Sequence, residues 1–281
     1  MSIHPRKLIS AFLFLFAVGN AQAAEEPALL GPSLVGIDHI PTVVADLEEA
    51  TAFYKRLGFS IKPGRFHENG LRNSHVKFKD GSGVELICPP SRSTDDLTRA
   101  YSDLLQDGEG PAYISFHARD TEALTTALGK ANMQFKDDSG LLTLSEPGLG
   151  FIFFVKDNRS PTDKPEHFAH PNTAVAMTEV WLALDAPSRA SLRKLLLALG
   201  AVEKNETALV PTEARAEVFI VQNGRVVVVS DAHQSQNKRK IIGVKFRVQS
   251  LRAAEQFWGT ANTSVPPSAA HGLWLRFGEL P

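Results

Sequence analysis

Four times along the chain, a run of apolar residues is followed by a polar capping residue and then by an amphipathic helical pattern. In the first instance the apolar run covers 34–40, Asp46 can cap the helix, and apolar positions recur at helical spacing over 47–57. Gly58 supplies the left-handed residue that ends the helix. The four capping positions are Asp46, Asp120, Asp185 and Ser250. Their nearly regular spacing predicts duplicated units.

Short apolar segments after each helix predict further strands. They are 59–61, 74–78 and 84–88 in unit one, 141–144 and 151–155 in unit two, 217–221 and 225–229 in unit three, and 273–277 in unit four. Asn223-Gly224 is a strong hairpin signal. Each unit therefore has the pattern βαβββ. We expect an α+β fold of repeated βαβββ modules, paired so that units one and two share one open curved sheet and units three and four another.

The pairing predicts two domains. The stretch 159–173, rich in Pro, Asp and His, is the natural linker. The first module pair then covers 34–158. A second, degenerate pair covers 174–281, and its fourth unit looks truncated.

The N-terminus has the features of a secretory signal. Arg6 and Lys7 precede an apolar run over 8–18 that is too short for a mature transmembrane helix, and Ala21-Gln22-Ala23 gives a small-x-small cleavage pattern. We expect a signal peptide over 1–23 and a periplasmic or secreted protein; an uncleaved N-terminal anchor is the alternative. No other long apolar run suggests stable membrane insertion. The single cysteine, Cys88, cannot form an internal disulfide.

Composition restricts the function classes. An apolar fraction of 43% and a charged fraction of 22% are those of a globular protein. The net charge is −1 and the only cationic run, 238–240, is short, so nucleic acid is not an expected partner. The chain has no Gly-x-Ser-x-Gly elbow, phosphate-binding loop or dinucleotide fingerprint.

Several segments resemble the vicinal-oxygen-chelate superfamily, in its glyoxalase-like, bleomycin-resistance and dioxygenase types. They are Gly36-Ile37-Asp38-His39-Ile40, the stretch 65–73, Gly83-Val84-Glu85-Leu86-Ile87, Phe153-Phe154-Val155 and His170-Pro171-Asn172. The resemblance covers 34–184 well and the remainder through the repeat pattern alone.

The resemblance implies an open pocket with a divalent metal (Fe, Zn, Mn, Ni or Mg) held by His and Glu from the first and last strands of the units. His39 and Glu85 occupy these positions in unit one, and Glu85 is also the expected catalytic group. Unit two departs from the pattern, with Tyr113 at the histidine position, so His117 is the candidate third ligand. A strand-end histidine is the alternative for His39 and His117, and a salt-bridged or rim carboxylate for Glu85. Units three and four have Thr178 and Gly243 there and should be structural.

Other polar residues near these strands are candidates for substrate binding: His67, Arg72, Asn73 and Tyr113. A surface arginine is the alternative for Arg72. His67 and His75 are reserve metal candidates, although the alternation of His75 with Lys77 and Lys79 suggests a solvated face. His167 and His170 are expected to lie in a turn, because Pro165 and Pro171 argue against a helix.

Three functions follow. The first is a divalent-metal-dependent enzyme of lyase, isomerase or dioxygenase type acting on a small oxygenated molecule. The second is a metal-free protein of the same fold that binds a small molecule. The third is a structural module in which units three and four form a docking surface. A homodimer stays open.

Overall fold

A computed structural model describes residues 33–138, 140–156, 159–234, 238–258 and 263–279. The predicted signal peptide and its cleavage site lie outside the described residues. The described chain forms three open mixed sheets with few helices, so the predicted α+β class is confirmed. In the part of the chain described, no helix has the length and apolar character needed to cross a membrane.

The three sheets are built from the strands β1 to β17, numbered in chain order. In chain order they are β1 (Gly36–Ile37), β2 (His39–Val43), β3 (Lys62–Pro63), β4 (Arg72–Lys77), β5 (Gly83–Cys88), β6 (Gly110–Pro111), β7 (Ile114–His117), β8 (Phe135–Asp138), β9 (Leu141–Leu144), β10 (Ile152–Val155), β11 (Ala174–Leu184), β12 (Val202–Leu209), β13 (Glu213–Val221), β14 (Gly224–Ser230), β15 (Ile241–Val248), β16 (Ser264–Val265) and β17 (Trp274–Gly278). The α-helices are α1 (Leu47–Arg56), α2 (Asp96–Gln106), α3 (Thr121–Lys130), α4 (Ala186–Ala198) and α5 (Leu251–Glu255).

Units one and two do not share one sheet, contrary to our expectation. The N-terminal sheet has the order β3-β4-β5-β2-β6, and the middle sheet has the order β1-β7-β10-β9-β8. The reason is that each opening run bends and divides between the sheets. Strand β1 joins the middle sheet and β2 the N-terminal sheet, while β6 joins the N-terminal sheet and β7 the middle sheet.

Units three and four do share a sheet. This C-terminal sheet has seven strands in the order β12-β13-β14-β11-β15-β17-β16. Its β13–β14 hairpin is present, as predicted, but the turn residues are Gln222 and Asn223, and Gly224 already belongs to β14. One side chain of that hairpin reaches the first half of the molecule, because Asn223 accepts a hydrogen bond from the Ile37 amide at 2.7 Å and donates to the Ile37 carbonyl at 2.8 Å.

Every predicted helix cap is present. The side chains of Asp46, Asp120, Asp185 and Ser250 each accept a hydrogen bond from the backbone amide three residues later. Helix α2 was not predicted. It is held by a capping box in which Asp95 and Thr98 exchange hydrogen bonds.

Helix α2 decides which part of the N-terminal sheet stays open. Strand alternation divides the sheet into two faces. The first face packs into the main core through residues such as Ile40, Val84 and Leu86. The second face is apolar at one end, where Val43 and Ile87 form a small cluster with Tyr101 of α2. Its other end carries polar side chains.

Candidate functional site

The polar end of this second face forms one wall of a cavity of about 770 Å³. Strand register places these side chains in rows, with Lys62 opposite His75 and His75 opposite Glu85. The described residues that line the cavity and bear on its chemistry are Asp38, His39, Lys62, Arg65, His67, Asn73, His75, Lys77, Glu85, Arg159, Lys164 and His167.

A histidine and a glutamate lie in direct contact at this wall. Nε2 of His39 is 3.1 Å from Oε2 of Glu85, and Nδ1 of His39 is 2.7 Å from Oδ1 of Asp38. Asp38 sits at the bend between β1 and β2, where its amide donates to the Ser115 carbonyl and its carbonyl accepts from the Gly83 amide. The division of the opening strand between two sheets therefore fixes the carboxylate that orients His39.

The Asn73 side chain connects the glutamate to two further histidines. Its Nδ2 donates to Oε1 of Glu85 at 2.6 Å and lies 3.3 Å from Nε2 of His75, while its Oδ1 lies 3.3 Å from Nε2 of His67. A Cβ at Gly64 would lie 2.0 Å from both Oδ1 and the carbonyl oxygen of Asn73, so only glycine leaves room for this arrangement.

Burial and the contacts within this network shift the pKa values of its two histidines, His39 and His75, and of Glu85. Burial alone would lower the pKa of His39, but Asp38 and Glu85 raise it well above its ordinary value. Burial alone would raise the pKa of Glu85, but His39, His75 and Asn73 lower it. Burial lowers the pKa of His75 to about 4. At neutral pH the pair is therefore an imidazolium–carboxylate pair next to a neutral imidazole.

The opposite wall comes from the predicted linker. Arg159, Ser160 and Thr162 line the cavity. Asp163 from the same stretch contacts the ammonium groups of both Lys62 and Lys77, the second at 2.7 Å. Burial alone would raise the pKa of Asp163, but these contacts lower it to about 2. The stretch is thus part of the candidate site and not only a connection.

Three of the predicted site residues lie away from the cavity. His117 packs over Gly36, where an added Cβ would lie 2.4 Å from its Cε1. Arg72 donates to Glu48 at 2.7 Å and contacts Cys88 Sγ at 3.5 Å.

Tyr113 lies in an aromatic cluster behind His39. Its ring packs against those of Tyr101 and Phe153, and Phe153 in turn packs against His39. Tyrosine and phenylalanine rings therefore occupy the place where the family pattern would put a unit-two ligand.

The residues present do not fit a three-ligand metal centre in this arrangement. Across the described ranges, no three His, Cys, Asp or Glu side chains are grouped to hold a metal ion. The amide Nδ2 of Asn73 is a donor that points to Glu85 and His75, which are the groups whose lone pairs a cation would need. We therefore derive no chemical step through a metal.

Comparison with protein-family models shows the family to which this chain belongs. The family model described as a glyoxalase-like domain matches residues 37–198, more than half of the chain. The chain belongs to the glyoxalase-like domain family. No curated protein sequence matches this glyoxalase-like protein.

Solved structures share the fold at low sequence identity. A hypothetical protein from Staphylococcus aureus has a TM-score of 0.60 and 13% identity, with 88% of this chain and 100% of that chain covered. A variant of homoprotocatechuate 2,3-dioxygenase from Brevibacterium fuscum has a TM-score of 0.58 and 12% identity, with 90% and 73% covered. The 2,3-dioxygenase LapB from Pseudomonas sp. KL28 has a TM-score of 0.55 and 14% identity, with 89% of this chain and 94% of that chain covered. These likenesses show the vicinal-oxygen-chelate fold of the glyoxalase-like protein.

Sequence reasoning assigned no site role to Lys62, Lys77 and Asp163, and it kept His75 only as a reserve metal candidate. His75 and Lys77 were interpreted as a solvated face because lysines alternate with the histidine, whereas their side chains face the cavity. No local sequence pattern connects Lys62 with Asp163, because the two residues are 101 positions apart in the chain. The alternation of Asn73, His75 and Lys77 opposite Glu85 was the available signal.

Proposed function

We propose that the protein binds a small oxygenated molecule in the cavity and that the His39–Glu85 pair recognises it, without a metal. The observation that carries the proposal is this pair in direct contact at the wall of a cavity of about 770 Å³. Such a volume is in the range of small-molecule sites, and its wall has the few convergent polar groups that fix a ligand.

The pair offers both a donor and an acceptor to the ligand. Asp38 holds Nδ1 of His39, so the Nε2 proton is the one presented towards Glu85 and the cavity. A ligand oxygen can accept from Nε2 in place of the carboxylate, and a ligand hydroxyl can donate to Glu85. In a ligand with an acidic proton, Glu85 is the group placed to accept it and His39 the group placed to stabilise the resulting anion.

Ligand-observed NMR tests this role. The probes are catechol, 1,2-propanediol, methyl pyruvate and pyruvate, added to the wild type and to the Glu85→Gln and His39→Gln variants. We expect at least one probe to bind the wild type and to lose about tenfold in affinity in either variant, since each removes a charge-assisted hydrogen bond. Glu203→Gln is the matched control, because Glu203 pairs with Arg193 away from the cavity.

Binding that is equal in the wild type and both site variants would remove the pair from recognition. If no probe binds, the proposal fails for these oxygenated classes.

A divalent-metal-dependent lyase, isomerase or dioxygenase is the second candidate. The contact between Asp38 and Nδ1 of His39 favours it, because a carboxylate commonly orients a metal-binding histidine in this way. Loading requires rotation of the Asn73 amide away from Glu85. The check is a thermal-shift series with Fe²⁺, Zn²⁺, Mn²⁺, Ni²⁺ and Mg²⁺. Stabilisation of the wild type but not of Glu85→Gln supports this candidate, and indifference to every ion contradicts it.

We also propose that the protein acts outside the cytoplasm. The basic residues, apolar run and Ala21-Gln22-Ala23 pattern of the N-terminus support export to the periplasm or medium. The intact mass of the protein recovered from a periplasmic fraction should correspond to a chain that begins at Ala24. A full-length mass in the membrane fraction would indicate the uncleaved anchor instead.

A further inference from the structure

Two lysines on adjacent strands share one carboxylate at the edge of the cavity. Lys62 is only 6% exposed, and both ammonium groups contact Asp163, one at each carboxylate oxygen. The described residues place no second carboxylate in ion-pair contact with either lysine. One carboxylate therefore pairs with two largely buried ammonium groups. Its single negative charge compensates their desolvation only in part.

Other cationic side chains belong to the described lining. Arg65 and Lys164 also line the cavity, with Lys164 3.9 Å from Glu166, while Asp38 and Glu85 are lining acids. Glu85 and Asp38 are both engaged by His39. Cationic side chains that line a concave site attract small anions.

The strand register places the lysines within reach of the same ligand as the His39–Glu85 pair. Lys62 lies opposite His75, and His75 lies opposite Glu85, so the three side chains stand in one row across three neighbouring strands. Neighbouring strands are about 4.8 Å apart, which puts Lys62 and Glu85 on backbones roughly 10 Å apart. With their side chains extended into the cavity, a ligand of a few carbon atoms can contact both ends of the row.

Asp163 is held by a loop and not by a strand or helix. Its backbone amide donates to the Ser160 carbonyl and its Oδ2 accepts from the Ser160 amide, so the carboxylate belongs to one local turn. The chain is fastened again at Ala169 and His170, which contact Ser60. The turn can therefore move away from the lysines while the chain beyond it stays attached.

We propose that Lys62 and Lys77 form an anchoring subsite for the carboxylate group of a small carboxylic acid, and that the Asp163 carboxylate occupies this subsite until the ligand displaces it. The Asp163 carboxylate shows which ligand group fits between the lysines. It is planar and gives one oxygen to each ammonium group. This inference rests on the proposed function and names its ligand class, a carboxylate with a second oxygenated group that reaches His39 and Glu85.

Isothermal titration with matched pairs of ligands tests the charge requirement. The acids are pyruvate, lactate and malonate, and their neutral partners are methyl pyruvate, lactamide and malonamide. We expect at least one acid to bind wild-type protein about tenfold or more tightly than its neutral partner. Inorganic phosphate is the separate arm for a tetrahedral anion, and phosphate binding that depends on the lysines, without carboxylate binding, overturns the carboxylate assignment.

Variants of the subsite test its residues. Lys77→Met should lose about tenfold in acid affinity while Lys77→Arg keeps most of it, because arginine retains the charge. Asp163→Asn should bind the acid several-fold more tightly, since the competing carboxylate is gone while its shape remains. Lys204→Met, on β12, is the control for loss of a lysine elsewhere. Circular dichroism and the melting temperature establish that each variant is folded.

The outcomes separate this inference from the proposed function. Equal binding of every acid and its neutral partner, or weaker acid binding by a folded Asp163→Asn variant, overturns the anchoring subsite. If neutral probes bind in a Glu85-dependent way in that case, the proposed function stands without it. If acids bind through Lys77 but are indifferent to Glu85→Gln, the subsite stands and the role of the His39–Glu85 pair fails.

Discussion

His170 connects the linker to the back of the cavity through hydrogen bonds that only a neutral ring can make. Its Nδ1 accepts from the Ser60 amide at 3.0 Å, and its Nε2 lies 3.1 Å from the Lys77 carbonyl. The ring packs between Phe59 and Phe78. Burial lowers its pKa to about 4, against a smaller opposing effect of the Lys77 carbonyl. Protonation would give Nδ1 a proton that points at the Ser60 donor.

We therefore expect His170 to make the protein less stable in acid. An unfolded histidine takes up a proton as the pH falls through about 6.5, whereas the folded ring stays neutral to about 4. Between these values the unfolded state binds more protons, so this residue's contribution to the free energy of unfolding falls by roughly 2–3 kcal/mol as the pH drops. Urea unfolding from pH 7.5 to 4.5 should show a shallower decline for His170→Gln than for the wild type. His233→Gln is the control, and parallel curves for wild type and His170→Gln contradict this account.

Single residues were predictable from sequence where a local pattern fixed their position. His39 could be located by counting back from the capping residue Asp46, and Glu85 by the apolar run that surrounds it. His117 was chosen only because it shares a strand face with Tyr113, but β7 lies in the middle sheet, beside β1. The partner strand decides what a side chain meets, and a single sequence does not contain that information.

At the scale of elements, helix α2 links the cavity mouth to the sheet. Its capping residue Asp95 accepts from the Thr98 amide at 2.7 Å and from the Asn69 side chain at 2.9 Å. Asn69 belongs to the loop that also carries Arg65 and His67 of the cavity lining. The cap therefore fixes both the start of the helix and the position of this loop.

Replacement of the cap should destabilise the protein measurably. Asp95→Ala removes the acceptor for the first helical turn and the contact with Asn69, and we expect a loss of about 1 kcal/mol in the free energy of unfolding. Asp96→Ala is the neighbouring control, because Asp96 is exposed and pairs with Arg99 at the surface. Its effect should stay within about 0.5 kcal/mol in the same denaturant titration. Equal losses in both variants would show that the cap contributes nothing specific.

The helices and strands with complete local signals were predicted, and the others were not. Capping residues followed by apolar periodicity located α1, α3, α4 and α5. Helix α2 was missed because it follows the last strand of unit one and not an opening strand, so it stood outside the repeat. The exchange of β1 and β6 between sheets could not be predicted, since it depends on bends at Asp38 and after Pro111 that pairing partners impose.

At the scale of the whole molecule, the C-terminal sheet carries two kinds of row on one face. One row contains the charged residues Arg225, Glu179, Lys245 and Arg276, of which Glu179 is ion-paired with Arg225 and Lys245. The row beside it is apolar and aromatic. Gly243 allows Trp181 and Trp274 to close over it, because an added Cβ would lie 2.4 Å from the ring of Trp181 and 2.7 Å from Cβ of Trp274. Valines of β13 and β14 complete this cluster. The unit-four position that was expected to be structural is thus covered by aromatic side chains.

The division of the chain into two domains at 159–173 stays a prediction. The packing between the two halves bears on whether they unfold together. One continuous core includes Ile37 and Val84 from the first half together with Leu182 and Phe246 from the second. Backbone hydrogen bonds also cross between the halves, from the Leu34 amide to the Leu199 carbonyl and from the Gln222 amide to the Val35 carbonyl. Separating the halves would expose apolar surface on both, at a cost of roughly 25 cal/mol per Å².

We therefore expect the two halves to unfold in one transition. Differential scanning calorimetry should give a single peak whose calorimetric and van't Hoff enthalpies agree. Asn223→Ala should lower the melting temperature without splitting the peak, because it leaves the amide and carbonyl of Ile37 unpaired at a cost of about 2 kcal/mol or more. Asn205→Ala, at an exposed position of β12, is the control and should melt as the wild type does. Two separate transitions in the wild type would mean that the halves are independent domains joined by a linker, and the cavity wall formed by residues 159–164 would then have to be stable with the first half alone.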